Sequence, residues 1–305
     1  TIDRGKQIHH MISDWGLLEN NIALGNSLVD MYAKCGMLAK AQQVFEQLPK
    51  RDVTSWSALI AGYAQQCRGY EAFKCFERMR YEGYLVDAIT FICILKACDT
   101  IGAIDKGKEI HNETVYRGLI NTNIVLGTAL VDMYARCGLF TEAQYVLDVL
   151  PIRNEVSWSA LIEGYTHNRE DHEALNCLEQ MRAEGISPNA ITFVCILKAC
   201  GHLRAMEKGQ DIHVMLMKDG LLKNNILVGN ALVDMYVKCG SLGKAKEVFD
   251  ELPFRDVVSW TMLIAGYTQH GHGEVALKCY ECMKQEGVEP DEITFLYVLK
   301  ACGSI

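Results

Sequence analysis

Residues 127–138 read GTALVDMYARCG, and lightly altered copies stand at 25–36 (GNSLVDMYAKCG) and 229–240 (GNALVDMYVKCG). Each copy lies 102 residues from the next. Trp56, Trp158 and Trp260 keep that spacing, as do Ile8-His9, Ile110-His111 and Ile212-His213, with no insertion or deletion breaking the register. Self-similarity at a fixed period marks a repeat array, in which each unit buries its apolar face on its neighbours.

Each 102-residue block divides into three helix-turn-helix units. Trp56, Leu59, Ile60 and Tyr63 follow the i, i+3, i+4, i+7 pattern of one helical face. Ala72, Phe76 and Met79 mark a second helix that stops near Gly83, where a helix C-terminus favours glycine. A second type of unit runs from Phe91, Ile94, Leu95 and Cys98 to Ile104, Ile110 and Val115. A third runs from Leu28, Met31, Tyr32 and Cys35 to Ala41, Val44, Phe45 and Leu48. All five prolines (Pro49, Pro151, Pro188, Pro253 and Pro290) fall between units, where a missing N–H costs nothing. No strand-like alternation competes. The pattern predicts an all-α fold, a solenoid of stacked helical hairpins forming one array over 1–305, with a long periodic concave surface. Such a surface suits a periodic partner, either an extended peptide or an unstacked nucleic-acid strand.

Composition narrows the field. Half of the 305 residues are apolar and 22% are charged, with no apolar run of membrane-spanning length. The formal net charge of −8 argues mildly against a nucleic-acid partner, because neutralised phosphates supply much of that affinity. Thr1-Ile2-Asp3-Arg4 has neither the basic-then-apolar pattern of a signal peptide nor the Arg- and Ser-rich character of a transit peptide. With no initiator Met, and with units cut at both ends, the chain reads as a window from a longer array.

The 13 cysteines mostly repeat: Cys35, Cys137 and Cys239; Cys75, Cys177 and Cys279; Cys98, Cys200 and Cys302; Cys93 and Cys195. Cysteines recurring inside apolar helical stretches act as small core residues in a reducing compartment, and their spacings are not those of zinc ligands. His9, His111 and His213 lie too far apart along a stacked array to share a metal. No Gly-rich phosphate loop, nucleophile elbow or paired-carboxylate motif occurs, so the segment reads as non-enzymatic and without cofactor.

Over essentially its whole length the chain resembles pentatricopeptide repeats of the plant PLS class, which cycle through three unit types. The resemblance rests on VTSWSALIAGY (53–63), AITFICILKAC (88–98) with KGKEIH (106–111), and GTALVDMYARCG (127–138). Family boundaries divide the chain into a partial L unit 1–21, S 22–52, P 53–87, L 88–123, S 124–154, P 155–189, L 190–225, S 226–256, P 257–291 and a partial L unit 292–305. The resemblance implies a right-handed superhelix that binds single-stranded RNA, one base per unit. It also implies site recognition for C-to-U editing of organellar transcripts in the mitochondrion or chloroplast. Editing cofactors would dock on L units, or a deaminase domain would lie outside this segment.

In that family the fifth and last residues of a unit contact one base, and second residues of successive units sandwich it. The pairs are then Asn26/Asp52, Ser57/Asp87, Thr128/Asn154, Ser159/Asn189, Asn230/Asp256 and Thr261/Asp291. An Asp accepts from the imino N–H of uracil or guanine, whereas Asn donates to the bare ring nitrogen of adenine or cytosine. A small Ser or Thr at the fifth position leaves room for a purine; Asn there reaches a pyrimidine. By resemblance the six pairs imply U, G, A, A, U and G. The L units carry Ile92/Asn123 and Val194/Asn225, whose apolar fifth residue is permissive, so the expected target is 5′-UGNAANUG-3′. Ile89, Val125, Val156, Ile191, Leu227 and Val258 are the sandwiching residues, with Ala23 and Thr54 departing from the aliphatic pattern. Lys34, Arg136 and Lys238, at the thirteenth position of S units, are the phosphate candidates, and affinity should fall steeply with salt. Against these readings, Ser, Thr, Asn and Asp also cap helices, and Asp52, Asp87, Asn154 and Asn189 stand just before helix starts. Aliphatic second residues also suit inter-unit packing.

Two further patterns partly match known signatures. His272-Gly-Glu274 with Cys279-x-x-Cys282 superficially matches a zinc deaminase signature, but the Pro is missing and Cys279 is a repeated core position. His111-Asn-Glu113 has no cysteine partner. Trp56, Leu59, Tyr63, Ala72 and Phe76 partly fit a tetratricopeptide-type peptide-binding scaffold, yet Ile60 stands where that repeat expects Gly, and the polar pairs would go unexplained.

Overall fold

Asn or Asp precedes every first helix of a hairpin. Asn21, Asp52, Asp87, Asn123, Asn154, Asn189, Asn225, Asp256 and Asp291 are each an N-cap whose side chain accepts from a backbone N–H of the first turn. Each such cap is worth about 1 kcal/mol. The computed structural model describes residues 2–19 and 21–305, and among them every regular element is helical, 20 α-helices and one 3-10 turn.

The helices fall into two compact units, Thr1–Arg153 and Asn154–Ile305. The first contains the helix Ile2–Asp14, then hairpins Ile22–Lys34/Leu38–Gln47, Val53–Gln65/Gly69–Tyr81, Ala88–Ile101/Ile104–Tyr116 and Ile124–Arg136/Phe140–Val149. The second contains hairpins Glu155–His167/Asp171–Ala183, Ala190–Leu203/Met206–Lys218, Ile226–Lys238/Leu242–Glu251 and Val257–Gln269/Gly273–Gln285, then the helix Glu292–Gly303. Within each, a first helix packs on its own second helix and on the first helix of the next hairpin.

The motif GTALVDMYARCG is explained by this packing. Its first glycine, Gly127, sits against the Leu150 side chain, which a Cβ would overlap; Gly25 meets Leu48 and Gly229 meets Leu252 in the same way. Its last, Gly138, turns the chain between hairpin helices at φ +73°, a conformation glycine adopts without a Cβ penalty. Between them Leu130, Val131 and Tyr134 are buried. In the first unit Trp56 packs edge-on against Phe45, with ring centroids 4.5 Å apart. Trp260 and Phe249 repeat the contact at 4.7 Å in the second.

The recurring histidines are structural clips. The Nδ1 atoms of His9, His111 and His213 each share a 2.9 Å hydrogen bond with the hydroxyl of Tyr32, Tyr134 and Tyr236 in the following hairpin. Burial holds the imidazoles of His111 and His213 below their ordinary pKa of 6.5 and pushes the Tyr134 phenol up to about 12. With the folded-state pKa depressed, the unfolded chain binds more protons below pH 6.5, so stability present above that value is lost as pH falls. The melting temperature should therefore drop between about pH 7.5 and about pH 5.5. A His111→Gln/His213→Gln variant should show a shallower drop, and an equally steep one would remove the histidines as its cause.

None of the thirteen cysteines forms a disulfide. Burial pushes Cys98, Cys177 and Cys200 up to about 12 and Cys75, Cys93 and Cys279 up to about 11. Such thiols stay protonated and unreactive at neutral pH.

Candidate nucleic-acid interface

On a helix, residues two, five, nine and thirteen of a unit share one face. In the second compact unit that face is hollowed. A groove of about 660 Å³ is lined by Ile191, Val194, Asn225, Leu227, Asn230 and Val258, among others. A further groove of about 370 Å³ shares Asp234, Val258 and Met262 with it and extends to Thr261, Asp291 and Ile293. Second, fifth and last residues of successive hairpins thus border one continuous depression.

The polar pairs meet across hairpin junctions. Asn26 Nδ2 donates to Asp52 Oδ1 at 3.1 Å, and Asn230 Nδ2 donates to Asp256 Oδ1 at 3.5 Å. Ser57 and Ser159 donate to Asp87 Oδ1 and Asn189 Oδ1 at 3.5 and 3.2 Å. Thr261 reaches Asp291 through the Thr294 hydroxyl, with steps of 2.6 and 2.7 Å. Thr128 is half-buried in the helix Ile124–Arg136, while Asn154 caps Glu155–His167; the two belong to different compact units.

Capping engages only half of each last side chain. The Oδ1 atoms of Asp52, Asp87, Asn154, Asn189, Asp256 and Asp291 take all the intramolecular hydrogen bonds found for these carboxylates and amide oxygens. The other terminal atom, Oδ2 in Asp and Nδ2 in Asn, has no partner among the described residues and is not shut away from solvent. Capping and recognition are therefore compatible in one side chain. In Asp52 and Asp256, burial raises the carboxyl pKa, but bonds from the Ser55 or Ser259 N–H and hydroxyl and from Asn26 or Asn230 outweigh it. Both settle below the usual carboxylate range and remain acceptors only.

The fifth residues themselves are largely enclosed: Asn26, Ser57, Ser159, Asn230 and Thr261 are all buried. What holds them is a residue that sequence reasoning passed over, the third of the following unit. The Ser55 hydroxyl donates to Asn26 Oδ1 at 2.6 Å and that of Ser259 to Asn230 Oδ1 at 2.8 Å. Thr90 and Thr192 share 2.7 Å bonds with Ser57 and Ser159. The signal was the repeated Asp/Asn-x-x-Ser/Thr spacing, a variant of the capping box. In the helices Ile22–Lys34, Ile124–Arg136 and Ile226–Lys238 the third residue is instead Leu24, Leu126 or Val228, which donates no side-chain bond. The hairpins before the last two of these carry apolar Ile92 or Val194 at the fifth position, and Asn123 and Asn225 cap without a fifth-residue partner.

Ile89, Val125, Val156, Ile191, Leu227 and Val258 are 44–67% exposed, so they are not the cement between hairpins. Ile293, the corresponding residue of the last helix, is exposed as well and was not anticipated. Lys34, Arg136 and Lys238 each bond the aspartate one turn earlier, Asp30, Asp132 and Asp234, at 2.6–2.7 Å. Cys279 is buried and Cys282 exposed, and among the described residues no three His, Cys, Asp or Glu converge as a metal site.

Comparison with known proteins agrees with this arrangement. The PPR repeat family matches residues 51–99, 153–202 and 255–304, and the PPR repeat matches 26–53 and 230–257. The chain belongs to the PPR repeat family. A chloroplastic pentatricopeptide repeat-containing protein of Arabidopsis thaliana is 36% identical over 99% of this chain and 48% of its own length. A mitochondrial one from the same plant is 38% identical over 96% of this chain and 46% of its length. The chain thus spans about half the length of these relatives. Among solved structures, the pentatricopeptide repeat protein PPR10 in complex with an 18-nucleotide psaJ RNA element superposes with a TM-score of 0.76. That match covers 98% of this chain and 45% of PPR10 at 19% identity, a likeness of fold.

Proposed function

We propose that this chain binds single-stranded RNA without acting on it chemically, each P or S unit reading one base. The reading is carried by the unpartnered, solvent-reaching Oδ2 or Nδ2 atom that every P- and S-unit junction presents, an acceptor or donor chosen by Asp or Asn. Exposed aliphatic second residues on either side supply apolar walls for a flat base. The combination favours an unstacked strand over a peptide, since one hydrogen-bonding edge recurs per hairpin at fixed register.

Under this reading the chain is of the PLS class and prefers 5′-UGNAANUG-3′, with S-unit cations Lys34, Arg136 and Lys238 near phosphates. Its role is to locate sites for C-to-U editing in a chloroplast or mitochondrion, the compartments named for its relatives. The deaminase would be recruited by L units or carried by a separate domain. The test is equilibrium binding to this octanucleotide and to its scrambled version. We expect the matched RNA to bind more tightly by an order of magnitude or more, as several polar edges go unpaired in the scrambled one. Equal binding would sink the base assignment, and no binding to either RNA would sink RNA recognition altogether.

A further inference from the structure

The ninth residue of a unit changes with unit type, and in the second compact unit Glu163, Lys198, Asp234 and Ala265 line the grooves described above. It is Asp30, Asp132 and Asp234 in S units, Ala61, Glu163 and Ala265 in P units, and Lys96, Lys198 and Lys300 in L units. The S-unit aspartates neutralise the cation one turn on. The L-unit lysines have no such neighbour: Thr100, His202 and Ser304 stand four residues later. All three lysines are exposed, and among the described residues none has a carboxylate within ion-pair distance.

Lys198 lies in the 660 Å³ groove, on the same wall as Ile191 and Val194. Arg169 enters that groove from the turn after Glu155–His167, at φ +65°, and is likewise exposed without an ion-pair partner. The other charged or titratable lining groups are Glu163, His167, Cys195, His202 and Asp234. Of these, Asp234 is held by Lys238, and His202 by Asp171 at 3.1 Å. Two cations without an ion pair, Lys198 and Arg169, against the one carboxylate of Glu163 beyond the paired Asp234, therefore stand where the fifth residue, Val194, offers a base no polar partner.

We infer that the L units grip the RNA backbone, with Lys96, Lys198 and Lys300 each taking a phosphodiester beside a nucleotide whose base goes unread. The inference rests on the RNA reading above and divides the labour between unit types. P and S units select bases, and every third unit supplies a sequence-neutral anchor that fixes register. It also explains how a chain of net charge −8 meets a polyanion, through exposed lysines without a carboxylate partner that recur once per L unit.

The test compares the unsubstituted chain with Lys96→Gln/Lys198→Gln, by fluorescence anisotropy on labelled 5′-UGNAANUG-3′ and its scrambled version across a salt series. Each single-strand phosphate contact contributes about 0.7 to the slope of log affinity against log salt, so the double variant should be shallower by about 1.4. Its preference for matched over scrambled RNA should be unchanged, and Lys96→Arg/Lys198→Arg should restore the slope. The S-unit pair Lys34→Gln/Lys238→Gln should change the slope less, because aspartates already offset those charges. An unchanged slope with selectivity retained overturns the backbone role while leaving base reading intact; a loss of selectivity with the slope retained overturns it by placing the lysines among the base-reading residues. If the unsubstituted chain binds neither RNA, both readings fall.

Discussion

Asp87→Asn is expected to change the base preferred at the second nucleotide from G to A while leaving the fold intact. Asp87 Oδ1 accepts from the Thr90 N–H at 2.8 Å and from its hydroxyl at 2.7 Å. Asn189, at the equivalent junction, makes the same two bonds to Thr192 at 3.0 and 3.1 Å. An amide at residue 87 would therefore keep the cap and convert only the outward atom, from an oxygen that accepts to an NH₂ that donates. The imino N–H of guanine would lose its acceptor, and the bare N1 of adenine would gain a donor. A mismatched polar edge costs about 1–3 kcal/mol, so the preference between RNAs differing at that base should move by about 5- to 150-fold. Binding to both RNAs checks this, with the melting temperature as a control. An unchanged G preference with an unchanged melting temperature would separate the last residue from base reading.

The second large effect concerns the stack. Trp56 is fully buried, packs on Phe45 of the preceding hairpin at 4.5 Å, and lies 5.3 Å beneath the Arg78 guanidinium. Trp56→Ala should cost about 3–5 kcal/mol in urea unfolding, the range for deleting a buried aromatic. In a repeat stack such a loss falls on one interface and should lower cooperativity as well as stability. A cost within about 1 kcal/mol would mean that the neighbours collapse into the space.

Much of this was legible beforehand because the chain repeats itself. Trp56, Trp158 and Trp260 at constant spacing predict equivalent buried places in successive blocks, and Pro49 and Pro151 mark the breaks between hairpins. The caps were also readable, Asp52 and Asn154 being residues that favour helix starts. Less legible was how one unit's fifth residue meets the next unit's third. The Ser55–Asn26 and Thr90–Ser57 bonds join residues 29 and 33 positions apart, and their register depends on how the hairpins stack. The exposure of Leu227 and Val258 was hidden for a similar reason, since an aliphatic residue at a helix start serves an interface or a groove equally well. The pairing of Lys34 with Asp30 was visible as an i, i+4 spacing but carried no weight until the geometry gave it one. The division between Arg153 and Asn154 falls within one residue of the boundary between the units 124–154 and 155–189, although the register alone does not single that boundary out from the others.

Everything functional turns on whether one hairpin addresses one nucleotide. The most direct measurement is the affinity of the chain for 5′-UGNAANUG-3′ with each position changed in turn to the other three bases. Losses should appear at the six specified positions and be slight at the two marked N, giving a profile that recurs every three nucleotides. A flat profile, or one whose minima fall elsewhere than at the L units, would contradict it.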